Sequence, residues 1–92
     1  MLFYLVVYDI SDDKRRGKVA GILEGYGRRV QYSVFECVLP DHKYVELKGR
    51  LKKFFRDGED SIRFYPVSKH TLSQVDVWGA IPITKPPGSI II

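Results

Sequence analysis

Seven consecutive apolar residues at positions 2–8 (LFYLVVY) end abruptly on Asp9. A run this dense in aromatic and β-branched side chains has no polar face to give to water, so it reads as a strand buried on both sides at the centre of a sheet. Leu2, Tyr4, Val6 and Tyr8 line one face, and Phe3, Leu5 and Val7 line the other. Each face needs an apolar cover. With 92 residues there is material for one domain and one modest core, since a chain of this size buries only roughly 60–65% of its unfolded surface. Crossing a bilayer takes about 20 apolar residues, and Asp9 breaks the run too early for a secretion signal. A cytoplasmic protein with no membrane partner is expected.

Downstream, Ser11, Asp12 and Asp13 place capping oxygens and negative charge at a helix start. Val19, Ile22, Leu23 and Tyr26 follow at helical spacing, predicting a first helix over residues 12–26. Gly27 stands where a left-handed C-terminal cap belongs. Gly17, Gly21 and Gly25 fall opposite the apolar arc and read either as a weak solvent-facing side or as a docking groove. Residues 28–39 (RRVQYSVFECVL) are strand material whose partition the residues alone leave open. Pro40 and Asp41 open a second helix, to about residue 55, with Tyr44, Leu47, Leu51, Phe54 and Phe55 inward. Lys48, Arg50, Lys52, Lys53 and Arg56 fill the rest of its circumference. A turn over residues 57–60 leads to a strand at 61–67 (SIRFYPV), and a short strand is expected at 75–78. The tail, residues 81–92, carries Pro82, Pro86 and Pro87 and ends in three isoleucines, a composition suited to docking as an edge strand.

Two amphipathic helices in so short a chain cover one face of a sheet and no more. The predicted class is α+β, a ferredoxin-like βαββαβ layer with an antiparallel sheet and an extra C-terminal strand. Residues 1–78 form the core domain, and residues 79–92 form a tail that docks on a partner. The second face of the first strand then needs an outside cover, and the economical one is a twofold homodimer packed sheet against sheet.

Few groups are free for chemistry. Cys37 is the single cysteine, which excludes an intrachain disulfide, and with only His42 and His70 beside it no tetrahedral zinc site can form in one chain. Ser33, Cys37 and the histidines make no nucleophile and base arrangement. Asp9 is the informative residue. It either accepts backbone N–H bonds in the strand-to-helix turn or ligates a metal, and magnesium is typically held by one or two carboxylates plus waters and phosphates. One chain supplies one such acid and a twofold dimer supplies two. Fifteen Lys and Arg against eleven Asp and Glu leave a net charge of +4, which permits a polyanionic partner. Lys14, Arg15, Arg16 and Lys18, with Arg28 and Arg29, form one basic group, and the second helix forms another; either is a solvated face or a phosphate contact. Arg15 and Arg16 lie where they can reach along the sheet edge toward Asp9. Tyr8, Tyr32 and Phe35 read as core or as base-stacking surfaces.

The string YDISDDKRRGKVAGILEGYGRRVQYSVFECVL, with DSIRFYP at residues 60–66, resembles the small CRISPR-associated adaptation protein, the ferredoxin-like partner of the CRISPR spacer integrase. The likeness covers about residues 1–78. It implies a homodimer whose paired Asp9 carboxylates hold magnesium or manganese. It also implies metal-dependent endonuclease activity on single-stranded RNA or double-stranded DNA, in the spacer-acquisition stage of antiviral defence. The alternative it implies is a non-catalytic scaffold that binds duplex DNA and bridges integrase dimers. Tyr8, Asp9, Arg16, Arg29 and Phe35 match the family's functional surroundings, whereas Lys18 stands where some relatives have arginine, removing a bidentate phosphate contact. The resemblance further divides residues 28–39 into two strands that bend near Tyr32.

Overall fold

The computed structural model describes residues 1–86. Its elements are β1 (Leu2–Asp9), α1 (Asp13–Glu24), β2 (Arg28–Gln31), β3 (Val34–Leu39), α2 (Asp41–Lys52), β4 (Ser61–Val67) and α3 (Lys69–Leu72). The strands form one sheet in the order β2-β3-β1-β4 with every neighbouring pair antiparallel. This is the expected βαββαβ layer, with the apolar β1 inside the sheet. Period-2 alternation sends Tyr4, Val6 and Tyr8 toward the helices, where they meet Phe35 and Cys37 of β3, Val19 and Leu23 of α1, and Leu47 and Leu51 of α2. The Tyr4 ring stacks on Tyr44 with centroids 3.9 Å apart, and Tyr44 meets Phe64 edge-on.

Residues 28–39 divide as the family resemblance implies. Tyr32 and Ser33 form the turn, and the Tyr8 N–H donates to the Ser33 carbonyl at 3.1 Å, so the turn is tied back to β1. Helix α2 stops at Lys52, three residues before the expected end: the Phe54 and Phe55 N–H groups donate only three residues back, to Leu51 and Lys52, and the Arg56 N–H donates to the Asp60 carboxylate at 2.8 Å. Phe54 still packs against the core from the turn that follows.

Gly27 is needed for a different reason than the expected left-handed cap. Among the described residues only Gly58 and Gly79 have positive φ, and α1 is already closed by the Gly25 N–H on the Ile22 carbonyl at 3.0 Å. A Cβ at Gly27 would instead collide with the Glu36 carbonyl oxygen and lie 2.5 Å from Cys37 Sγ. The glycine lets the chain leaving α1 press directly onto β3. Gly27→Ala is therefore expected to cost about 1–3 kcal/mol, the usual penalty for overpacking a close contact, read as a lower urea midpoint with an unchanged m value.

The chain covers more of its second sheet face than the sequence suggested. Ser68 caps the short α3, which the sequence did not predict, by accepting from the Thr71 N–H at 3.2 Å. Residues 75–78 form no strand. Through residue 86 the tail is not an edge strand either; it crosses the second face and is latched by side chains. Thr84 donates from its N–H and its hydroxyl to Glu36 Oε1 at 3.1 and 2.7 Å, and Arg28 donates to the Pro82 carbonyl at 2.6 Å. Pro82 and Pro86 have no N–H to give a ladder, which explains the side-chain anchoring. Phe3 and Val38, lining a pocket with Leu72 and Ile83, are buried as a result. Leu5, Val7 and Val34 are only partly covered, and Tyr65 is exposed. The terminal isoleucines lie outside the described residues.

Asp60 fastens α1 to the start of β4. Its side chain is inaccessible to solvent and pairs with Arg15, which also reaches Glu59 at 3.3 Å. Burial opposes ionisation of Asp60, yet the Arg56 N–H, the Arg15 guanidinium and, more weakly, the Ser11 N–H outweigh it and hold the carboxyl below its ordinary range. A depressed folded-state pKa stabilises the protein above the unfolded value of about 3.9 and ceases to do so as pH falls through the folded value. Asp60→Asn is thus expected to be less stable than wild type at neutral pH. The difference should narrow progressively below about pH 4, as followed by urea unfolding across an acid series.

Candidate metal and nucleic-acid site

The last residue of β1 carries the exposed acid, and strand parity decides where it points. Asp9 shares the alternation of Phe3, Leu5 and Val7, so it lies on the sheet face away from the helices, opposite Ser61 of β4. Tyr8 points the other way. It is buried, its hydroxyl donates to the Tyr32 carbonyl at 3.4 Å, and its ring lies 6.3 Å from that of Phe35.

Beyond Asp9 the chain turns into α1. Asp12 caps the helix by accepting from the Arg15 N–H at 2.9 Å. Arg16 Nη1 donates to the Ile10 carbonyl at 2.7 Å, and its other arm pairs with Asp13. Hydrogen bonding to Asp13, with a smaller contribution from Tyr32, raises the Arg16 pKa despite partial desolvation. Arg15 is committed to Asp60, Glu59 and Asp12, with its side chain only 14% exposed. Among the described residues no hydrogen bond or ion pair joins Arg15 or Arg16 to Asp9. The expected reach toward Asp9 is corrected on this point: α1 packs on one side of the sheet, and the carboxylate projects from the other.

The remaining sequence-flagged residues fall into place around these two sides. Arg29 is exposed at the rim of the helix side, with its guanidinium 5.3 Å from the centre of the buried Phe35 ring. Tyr32 is 73% exposed at the neighbouring turn. Tyr8, Arg16, Arg29, Tyr32 and Phe35 thus form one connected group. Lys14 and Lys18 are exposed on α1, while Arg28 is on the second face, held by Pro82. On α2, Lys48 lies 4.2 Å over the Tyr44 ring, and Arg50 donates to the Tyr26 hydroxyl at 3.2 Å. Burial, reinforced by the Glu36 charge, pushes the Cys37 thiol up to about 11, which removes it as a nucleophile at neutral pH.

Sequence reasoning passed over Arg63. Pairing of Val7 with Arg63 and of Asp9 with Ser61 puts Arg63 on the same face as Asp9, one step diagonal to it. The signal was present in the alternation of SIRFYPV, but the face shared with Asp9 depends on a register that only the sheet defines.

Among the described residues no three His, Cys, Asp or Glu side chains come together as a metal cluster. Asp9 offers hard carboxylate oxygens, the donor type magnesium and manganese accept. Each chain supplies one such acid, and an ion of this kind takes one or two carboxylates with water filling its remaining positions, so the residue chemistry fits such an ion.

Residues 1–75 match the family described as CRISPR associated protein Cas2. The CRISPR-associated endoribonuclease Cas2 3 of Synechocystis sp. is 61% identical over 92 residues, covering 100% of both chains. The CRISPR-associated endonuclease Cas2 2 of Thermus thermophilus is 45% identical over 80 residues, which is 87% of this chain and 84% of that one. In three dimensions, a chain from a partial Cas6-RT-Cas1–Cas2 complex superposes with a TM-score of 0.77 at 31% identity, covering 100% of both. Sheet order, helix placement and sequence agree, and the chain belongs to the Cas2 family of CRISPR-associated proteins.

Proposed function

We propose that two copies of this chain pack second face to second face, and that their Asp9 carboxylates jointly hold magnesium or manganese for endonucleolytic cleavage of RNA or duplex DNA during spacer acquisition. The carrying observation is an exposed carboxylate at the end of a sheet face that still presents Leu5, Val7, Val34 and Tyr65 to solvent. Burying that apolar surface against its own copy brings like acids together, and a shared cation relieves their repulsion. A bound divalent ion would supply an activated water and neutralise charge on the scissile phosphate. Arg29 and Arg16 flank the site from the helix side and pair with backbone phosphates; Lys14 and Lys18 extend the positive surface along α1. Tyr8 and Phe35 act from inside the core, Tyr8 by holding the Tyr32 turn and Phe35 by supporting Arg29.

Endonuclease and endoribonuclease names among the relatives support this reading. Incubating single-stranded RNA and duplex DNA with the protein, with magnesium and with chelator, tests it alongside sedimentation. Cleavage that requires the ion and a mass of twice the chain are expected. Metal-independent cleavage, or a monomer at working concentration, overturns it.

A second reading is a DNA-bridging scaffold whose tail engages the spacer integrase. It is favoured by the run of exposed apolar side chains Val75, Val77, Trp78 and Ile81, with Trp78 97% exposed, and by the family's presence in a complex with Cas1. Spacer acquisition that survives loss of Asp9 but fails in Trp78→Ala or when residues 79–92 are removed supports this role over catalysis.

A further inference from the structure

The cation sharing a face with Asp9 is neither of the α1 arginines. Arg15 is locked to a buried carboxylate, and Arg16 is spent on the Ile10 carbonyl and Asp13. Arg63 stands on the open face, diagonal to Asp9 across the β1–β4 pair, at a Cβ separation of roughly 7 Å, and its neighbour across the strand is the apolar Val7. It forms no ion pair among the described residues. Its guanidinium donates to the Tyr65 hydroxyl at 3.0 Å, a neutral, solvent-exposed bond that water can replace when the side chain swings. That leaves a planar fork with most of its five donors free, the geometry that matches two phosphate oxygens at once.

We propose that Arg63 is the substrate-binding cation of the Asp9 site, gripping the phosphodiester that the paired carboxylates and their ion engage. The assignment rests on the nuclease reading above and adds to it the residue that orients the phosphate. Arg29 and Arg16 lie on the far side of the sheet and hold flanking backbone. Arg63 is the one placed to touch the reacting phosphate from the face on which Asp9 projects. Tyr65, two residues along the same edge strand, holds the guanidinium when no phosphate is present.

Arg63 is exposed in the single chain and outside its core, so Arg63→Ala and Arg63→Lys should both fold, and sedimentation reads whether each remains a dimer. Binding of labelled single-stranded RNA and duplex DNA is measured by anisotropy across a salt series, manganese affinity by electron paramagnetic resonance, and cleavage by kcat and KM. Arg63→Ala is expected to raise KM and the nucleic-acid dissociation constant about tenfold, equivalent to one lost charge-assisted contact. The slope of log affinity against log salt should fall by about one, with manganese affinity unchanged. Arg63→Lys should restore the salt slope but not the full affinity, because it keeps the charge and loses the fork. The RNA and DNA arms identify which polymer loses the contact. Unchanged binding and slope in both arms overturn the assignment. Tighter manganese binding with a weakened dimer also overturns it, showing Arg63 to be an ion-pair partner of Asp9 across the interface. If wild type binds nucleic acid but cleaves nothing, the nuclease reading fails while the binding arms still decide the role of Arg63.

Discussion

Phe35→Ala is expected to lower the unfolding free energy by about 3–5 kcal/mol, the range for removing a fully buried aromatic side chain. Phe35 is fully inaccessible and pairs with Val6 on one side and Arg29 on the other. Its ring also packs near Tyr8. A domain of this size holds a total of only about 5–15 kcal/mol, so the variant should melt on the order of 20 °C lower. Because β2 is four residues long and meets the rest of the sheet only through β3, the cavity should also loosen the β2 edge and with it Arg29. Urea and thermal unfolding measure the effect. A loss below about 1 kcal/mol would mean that the core closes over the gap without reorganising the sheet.

Asp9→Asn should do the reverse, removing function while sparing the fold. The side chain is exposed at the end of β1 and lies outside the core, so stability should move by no more than about 0.5 kcal/mol. Asparagine keeps the size but withdraws, from both copies of the proposed dimer at once, the charge proposed to hold the ion. Lewis-acid stabilisation is worth several kcal/mol, and each 1.36 kcal/mol is tenfold in rate. Divalent-dependent cleavage should therefore fall by about 100-fold or more. In chelator the variant dimer should be at least as tight as wild type, since two like charges no longer face each other. Single-turnover cleavage and sedimentation with and without magnesium check both halves, and retained cleavage removes Asp9 from the mechanism.

Much of this architecture is legible in local pattern. The apolar run ending in Asp9, the acids before α1 and the helical stripe of α2 each state their element through a period or a cap. Fold class followed from counting faces against helices. Tyr8, Arg29 and Phe35 were recognisable as a set through the motif that contains them, and the structure brings them together as one group. Arg15 was not readable, because its partners Asp60 and Glu59 lie some forty residues downstream in what looked like a simple turn. The strand expected at residues 75–78 does not form: among the described residues its alternating Val75 and Val77 pair with no strand of the sheet. The latch between Thr84 and Glu36 had no local signal at all.

What the amino-acid order determined by itself is everything governed by near neighbours: which segments are strand or helix, where the first helix begins, and that one carboxylate terminates a strand with two apolar faces. Periodicity and capping act within a few residues, so they can be read along a line. What only the tertiary structure decided is which side of the sheet each charged group occupies and whom it meets. Register set Arg63 beside Asp9, packing of α1 drew Arg15 away to Asp60, and the close approach of Gly27 to β3 replaced the expected cap. Those outcomes depend on pairings between distant segments, whose energies come from burial and geometry that no local pattern encodes.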